Sequence, residues 1–340
     1  MSAADLTGPG WTGTGSARIV NCCAPEAAAE AGEPWPEPDH AVGEAAQIGT
    51  VIHELVEPIF MSPLGVAYDP HKIINTLALC GMISADLDVD VESVERRAKG
   101  LAEKAAERFK VDDWSLEFEQ KHGFSPYGNL RVGFTGYEAD ADGHRNYEKV
   151  EDGDIALTTD LEAYPEFDDG EIVVVDFKTG RRENVPPARD NWQGLTAACA
   201  IRYGAHQAAQ VERGEAPTPI RFELWFVDEG GNVEVDGWTY TDEQIEAAAV
   251  KLCETATQIR SGYSPPVLGD HCVKNWCKYR QVCPAQAQAL ATMGKKPIVI
   301  GPGAGLCEVT TEAQALQAIA VLPSVRKGHE GARCGAQDIH

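Results

Sequence analysis

The chain has 340 residues, of which 43% are hydrophobic and 24% are charged, and its formal net charge is −24. This composition is that of a globular protein with a sizeable core, which excludes a chain that is disordered throughout. A surface this acidic repels phosphates at long range, so any contact with nucleic acid must be local. No apolar run approaches the roughly 18 residues that cross a bilayer, and the N-terminus lacks a basic region followed by an apolar one. We therefore expect a cytoplasmic protein without membrane contact.

Helices are predicted for the first third of the chain. Between Glu44 and Phe60 the apolar residues recur at three- and four-residue steps, which predicts an amphipathic helix with His53 beside its apolar stripe. Two more helices are predicted at about 71–85 and 91–109. Basic residues cluster on the second of these and are expected to lie on a solvated face: Arg96, Arg97 and Lys99.

The pattern becomes strand-like from about residue 114 to residue 177. Asp/Gly-rich turns separate the segments NLRVGFTGYEA, DIALTTDLEAY and EIVVVDFK, and the last two predict an antiparallel hairpin. A helix at about 190–210, the strands IRFELWFVD and VEVDGWTY, and a helix at about 242–261 follow. This order predicts an α/β fold with a central mixed β-sheet flanked by helices.

The predicted hairpin brings three charged residues to one end of the sheet. Asp160 lies on its first strand and Asp176 on its second, and the two-residue period of a strand puts Lys178 on the same face as Asp176. Two adjacent carboxylates repel each other unless a divalent cation lies between them, and Mg²⁺ or Mn²⁺ prefers oxygen ligands. A lysine beside such an ion can orient or deprotonate a water. The alternative for Asp176 and Lys178 alone is a surface ion pair at a strand end.

Several segments together resemble one enzyme family. TTDLEAY, VVVDFKTGRR and NWQGLTAACA resemble the PD-(D/E)xK nuclease superfamily in its RecB-type branch, and GTVIHELVE resembles the histidine-bearing helix of that branch. The resemblance covers residues 18 to 290 or so. It implies a restriction-endonuclease-like core, a metal held by His53, Asp160 and Asp176, and a catalytic set of Asp160, Asp176, Lys178 and Gln193.

The same resemblance implies a substrate and a process. It suggests an exonuclease on single-stranded or end-bearing DNA, in recombination, repair or phage replication, with a helicase or recombination protein as partner. Five basic residues are expected to contact the DNA backbone: Arg181, Arg182, Lys274, Lys278 and Arg280. The competing interpretation is a binding module that retains the nuclease fold with weak or absent hydrolysis, which the net charge favours.

Three cysteines lie close together near residue 280. In HCVKNWCKYRQVCPA, Cys272, Cys277 and Cys283 fall within 12 residues, which in a reducing compartment indicates a metal rather than a disulfide. Iron–sulfur nucleases of the resembled branch take one further cysteine from before the histidine helix. The resemblance thus implies a [4Fe–4S] cluster that ties the N- and C-terminal parts, with Cys22 or Cys23 as fourth ligand.

Other uses of the cysteines stay open. Zn²⁺ with His271 as an alternative ligand competes with the cluster, and free buried thiols are the third possibility. Cys80, Cys199 and Cys253 lie on apolar helix faces and are expected in the core. The domain organisation expected from all of this is a flexible N-terminus at 1–17, a nuclease domain at 18–292 with its cysteine loop at 270–284, and a C-terminal extension at 293–340.

Overall fold

A computed structural model describes residues 16, 18–36, 43–64, 67–110, 113–125, 135–138, 154–166, 170–269, 271–274, 277, 279 and 282–293. The chain divides into two compact units, the first from residues 1–16 and 41–253 and the second from residues 17–40 and 254–340. Most of the predicted flexible N-terminus, the residues Lys278 and Arg280, and nearly all of the predicted C-terminal extension lie outside the described residues. None of the described helices is long and apolar enough to cross a membrane.

A six-stranded mixed sheet forms the centre of the first unit, in the order β2-β1-β3-β4-β5-β6. The strands are β1 (Trp114–Ser125), β2 (Thr135–Glu138), β3 (Ile155–Pro165), β4 (Ile172–Lys178), β5 (Ile220–Val227) and β6 (Val233–Tyr240). Strands β3 and β4 pair antiparallel, which confirms the predicted hairpin, and β4 pairs parallel with β5. A parallel pair needs a crossover connection, and here two helices supply it.

The helices agree with the predicted order and differ at some ends. They are α1 (Ala24–Glu30), α2 (Glu44–Met61), α3 (Pro70–Leu79), α4 (Val91–Arg108), α5 (Trp192–Arg202), α6 (Ala205–Glu212), α7 (Asp242–Arg260), α8 (His271–Lys274) and α9 (Pro284–Met293). Short 3-10 turns occupy Ser62–Leu64, Arg182–Asn184 and Ala188–Asp190. The expected helix at 190–210 is thus two helices, because the chain leaves the helix at Tyr203 and Gly204.

The predicted helix at 71–85 is too long. It ends at Leu79, with Cys80 as its C-cap, and Gly81 follows with a φ of +71°, a left-handed conformation that favours glycine. Cys80 is consequently exposed, so its expected place in the core is wrong, whereas Cys199 is buried.

The main core lies between one face of the sheet and the helices α2 and α4. Alternate residues of β3 and β4 enter this core, among them Leu161, Val173, Val175 and Phe177. They pack with Val51, Ile52, Leu55 and Val56 of α2 and with Val94, Ala98 and Leu101 of α4. Because successive strand residues point to opposite faces, Asp176 points away from this core, where α5 carries a partner for it.

The second unit joins the segment before α2 to the chain from Glu254, inside α7, onward. Arg18 forms a buried ion pair with Glu26 of α1, and its guanidinium carbon lies 5.6 Å from the centroid of the Tyr279 ring. Trp35 meets the edge of the same ring, with centroids 5.9 Å apart. The N-terminal segment and the cysteine loop are therefore packed together by side chains alone, before any metal is considered.

Candidate active site

The two predicted aspartates lie where the β3–β4 ladder ends. The last pair of that ladder is Leu161 with Val175, and Asp160 and Asp176 are the next residues of the two strands in that direction. Beyond the ladder, the backbone N–H of Phe177 donates a 2.5 Å hydrogen bond to Asp160 Oδ2. A carboxylate that replaces a main-chain acceptor is fixed in position by its own strand and by the neighbouring one.

Three ligand-type side chains converge on Asp160. His53 Nδ1 lies 3.2 Å from Asp160 Oδ1, and the His53 and Phe177 rings form a T-shaped pair with centroids 5.7 Å apart. Glu119 completes the group, in which the ligand atoms of His53, Glu119 and Asp160 all lie within 4.8 Å of one another. Within the described ranges of the chain, no other set of three His, Cys, Asp or Glu residues is this compact.

Glu119 was missed by sequence reasoning and has an unusual backbone. The pairs on either side of it, Phe118 with Leu161 and Gln120 with Thr159, share one register, which places Glu119 opposite Asp160. Its φ is 50°, in the left-handed region, which costs a non-glycine residue about 1–2 kcal/mol. Such strain persists where the surroundings impose it, and it is concentrated at functional sites.

Asp176, Lys178 and Gln193 form a second, connected set. Lys178 Nζ lies 2.5 Å from Asp176 Oδ2 and donates a 3.2 Å hydrogen bond to Gln193 Oε1, while the Gln193 amide donates to Asp176 Oδ1. The Asn191 side chain caps α5 by accepting from the backbone N–H of Gln193 at 2.9 Å, which fixes the turn that carries the glutamine. Asp176 is not a member of the compact group of three, although sequence reasoning placed it among the metal ligands.

The buried oxygen of Asp176 is held by an ion pair. Asp176 Oδ2 is buried, and the Lys178 ammonium lies against it, with Nζ 2.5 Å away. Burying a carboxylate is costly unless it is paired, and Lys178 supplies that pairing.

The two aspartates differ in acidity. Burial opposes ionisation of Asp160, but the charge and hydrogen bond of His53, with the Phe177 amide and Lys178, outweigh burial and hold its pKa below the usual value. Burial raises the pKa of Asp176; Lys178 opposes the shift only in part, and the Asp160 charge adds to it. Burial would lower the pKa of His53, yet its pairing with Asp160 raises it. Two carboxylates that resist simultaneous ionisation provide a place where a divalent cation is favourable.

The predicted DNA-contacting arginines have different surroundings. Arg181 is exposed. Arg182 forms ion pairs with Glu234 and, at 3.6 Å, with Asp236 of β6, and its guanidinium lies over the Phe226 ring. Lys274 belongs to the short helix α8. The predicted DNA contacts of all five basic residues stay predictions.

The candidate cluster cysteines all belong to the second unit. Burial raises the pKa of the Cys277 thiol; nearby Arg18 lowers it, while the neighbouring thiols of Cys272 and Cys22 raise it further. Cys23 is buried and its thiol donates to Ser264 Oγ at 3.3 Å, so the structure gives it a different partner. Cys283 is half-buried at the start of α9.

The alternative zinc ligand has a hydrogen bond of its own. His271 Nε2 donates to the Val267 carbonyl oxygen at 3.0 Å and lies 3.4 Å from Cys272 Sγ. In the described part of the chain no three cysteine or histidine ligand atoms of this region come within 4.8 Å of one another. A tetrahedral zinc site would bring its thiolates to about 3.8 Å, given Zn–S bonds of about 2.3 Å.

Comparison with known proteins adds an independent finding. The family model described as the PD-(D/E)XK nuclease superfamily matches residues 20–284, which include every residue of the two sets above. No curated protein matches the chain.

Proposed function

The chain belongs to the PD-(D/E)XK nuclease superfamily, and from that premise we propose that it is a divalent-metal-dependent deoxyribonuclease. The observation that carries the proposal is the meeting of His53, Glu119 and Asp160 with the Asp176–Lys178–Gln193 set at one end of the sheet. Single-stranded or end-bearing DNA is the proposed substrate class, with exonucleolytic action in recombination, repair or phage replication. The proposed nuclease domain is residues 18–292.

The donor set fits Mg²⁺ or Mn²⁺. His53, Glu119 and Asp160 offer one nitrogen and two carboxylates within 4.8 Å of one another, and Asp176 adds a third carboxylate, paired with Lys178, close by. Hard cations of this kind bind through carboxylates while retaining waters. When bound, such an ion lowers the pKa of a coordinated water and neutralises charge on a phosphodiester.

The remaining groups then have definite tasks. Lys178 keeps its ammonium beside Asp176 and Gln193, where it can orient a water and stabilise the negative charge that develops on a phosphate oxygen. Gln193 holds both partners, since it accepts from Lys178 and donates to Asp176. Arg181, Arg182, Lys274, Lys278 and Arg280 are proposed to contact the DNA backbone, and a helicase or recombination protein is the proposed partner.

We also propose that Cys22, Cys272, Cys277 and Cys283 hold a [4Fe–4S] cluster. Cys22 is chosen over Cys23 because the thiols of Cys22 and Cys272 both raise the pKa of the Cys277 thiol. The Cys23 thiol instead donates to Ser264. No three described cysteine or histidine ligand atoms of this region lie within 4.8 Å of one another, which suits a cluster better than one zinc ion, because each thiolate of a cluster binds a different iron. The role assigned to this group is structural.

Cleavage of labelled DNA tests the proposed activity. Purified protein is incubated with single-stranded, blunt duplex and closed circular DNA in Mn²⁺, in Mg²⁺ and in EDTA. We expect linear substrates to be degraded with metal, circular DNA to survive, and both Asp176→Asn and Lys178→Met to lose activity by about 100-fold or more. Full activity in either variant would overturn the site assignment.

A binding module without hydrolysis is the second candidate. Its ligand would be DNA or a partner protein, and the net charge of −24 favours a partner protein because an acidic surface repels phosphates. DNA that is bound but left intact by the wild-type protein in both metals would select this candidate over the nuclease.

A further inference from the structure

The ends of the parallel strands β4 and β5 are joined by a side chain. Their last register pair is Lys178 with Phe226, and the next residues in that register are Thr179 and Val227. The Arg97 side chain of α4 donates from Nη2 to both of these backbone carbonyls, at 2.7 Å to Thr179 O and 3.3 Å to Val227 O. One guanidinium nitrogen therefore links the two strands just beyond their last main-chain pair.

From this contact we infer that Arg97 is a positioning residue for Lys178. The inference rests on the proposed nuclease function. Thr179 follows Lys178 directly, so a bond to the Thr179 carbonyl anchors the chain one residue beyond the lysine. Lys178 must stay within 2.5 Å of Asp176 and 3.2 Å of Gln193 to serve both, and small displacements in an active site are costly to rate.

A second element holds Thr179 from the side of α2. A Cβ added to Gly49 would lie 2.9 Å from Thr179 Oγ1, so the threonine packs directly on the helix backbone. Gly49 precedes His53 by about one helical turn. Thr179 thus contacts both the helix that carries the proposed ligand His53 and the guanidinium of Arg97.

The position of Arg97 carries a desolvation cost, which argues against a surface arginine that only contacts water. Arg97 Nε is buried and has no hydrogen-bond partner. A charged group with an unsatisfied nitrogen is a poor source of stability, because its desolvation is only partly compensated. Its hydrogen bonds go to the two strand-end carbonyls beside the proposed catalytic lysine, and the nearby charges of Glu229 and Asp228 favour its ionised form. The expectation that the basic cluster of α4 lies on a solvated face is thus wrong for Arg97.

The neighbouring arginine provides a matched control. Arg96 also lies on α4 and also donates to a backbone carbonyl, from Nε to Glu229 O at 3.1 Å. Its side chain is exposed and its partner belongs to the β5–β6 turn. Arg96→Met removes a similar bond from the same helix without touching the end of β4.

Kinetics and hydrogen exchange of three variants test the inference. In the Mn²⁺-dependent cleavage of single-stranded DNA, we expect Arg97→Met to lower kcat by roughly 10- to 100-fold with KM within about twofold of wild type. Arg97→Lys should recover part of kcat, and Arg96→Met should match wild type. Peptides covering residues 176–182 should exchange faster in Arg97→Met and unchanged in Arg96→Met.

The outcomes separate this inference from the proposed function. Wild-type kcat and exchange in Arg97→Met would overturn it, and so would equal losses in Arg97→Met and Arg96→Met, which would indicate general damage to α4. If the wild-type protein cleaves no DNA, the proposed function fails, and the exchange of residues 176–182 alone decides whether Arg97 holds the strand end. Should Arg97→Met not fold, Arg97→Lys is compared with Arg96→Lys in the same way.

Discussion

Asp160 organises the candidate site at the scale of single residues. Its two oxygens contact His53 Nδ1 and the Phe177 amide, and its carboxylate faces Glu119 across the β1–β3 pair. The Glu119 backbone is left-handed, which a glutamate adopts at a cost. The strained backbone and the adjacent negative charges both lower the stability of the protein. Such a cost is typical of a residue that serves a functional site.

We predict that Glu119→Gly and Glu119→Gln separate strain from charge. Glycine adopts a φ of 50° readily, so Glu119→Gly should raise the free energy of unfolding without metal by about 1 kcal/mol. Glu119→Gln keeps the strain. Both variants should lose Mn²⁺ affinity, measured by titration calorimetry, because both lose a carboxylate. Unaltered Mn²⁺ affinity in both would remove Glu119 from the site.

The sequence revealed only part of this site. His53, Asp160, Asp176, Lys178 and Gln193 could be predicted because their order and spacing repeat a family pattern, and the structure brings them together. Glu119 could not, because Glu117 two residues earlier is equivalent in sequence and only the backbone conformation distinguishes them. Arg97 could not, because its partners are carbonyls, which every residue carries.

At the scale of elements, the packing of α2 on β4 depends on one glycine. Alanine is normally better than glycine inside a helix by about 1 kcal/mol. At Gly49, however, the added methyl would meet Thr179 Oγ1 at 2.9 Å, and a β-branched side chain held by its neighbours moves reluctantly.

We predict that Gly49→Ala destabilises the first unit by about 1–3 kcal/mol, as overpacking does. In a Thr179→Ala background the same substitution should be neutral or stabilising, because the obstructing oxygen is gone. Urea denaturation of the wild type, the two single variants and the double variant gives the free energies of unfolding for a double-mutant cycle. Additive changes in the free energy of unfolding would show that residues 49 and 179 have no steric conflict.

Element ends were less predictable than element types. The apolar period of α2 and α4 indicated both helices within a residue or two of their ends. The early end of α3 and the break between α5 and α6 depend on capping and on packing, which the apolar period does not contain. The strand β1 was obscured because its alternation is interrupted where Glu119 changes the backbone.

At the scale of the whole molecule, an acidic protein must bind DNA through few contacts. We predict that Arg181→Ala reduces the salt slope of single-stranded DNA binding by about 1, whereas Arg182→Ala changes it less. Both arginines are exposed, but Arg182 already pairs with Glu234 and Asp236, whereas the described residues show no ion pair for Arg181. Fluorescence anisotropy across a salt series, in Ca²⁺ to prevent cleavage, measures both slopes. Equal slopes in the two variants would contradict this assignment.

The second unit joins chain segments more than 200 residues apart, and the final prediction concerns what stabilises it. Packing of Arg18, Trp35 and Tyr279 already brings the segments together, and the proposed cluster would add metal-coupled folding energy on the order of 10 kcal/mol.

We predict that protein purified without oxygen is brown and contains iron, from thiolate-to-iron charge transfer. Cys277→Ser should be colourless, and its second unit should unfold at a lower temperature. Hydrogen exchange of peptides from residues 18–36 reports on the unfolding of that unit. Cys80→Ser is the matched control, since Cys80 is exposed and belongs to the first unit, and it should keep both colour and melting temperature. Colourless wild-type protein with one zinc per chain would reassign the site. Iron-free Cys277→Ser that melts with the wild type would mean that side-chain packing alone holds the two segments together.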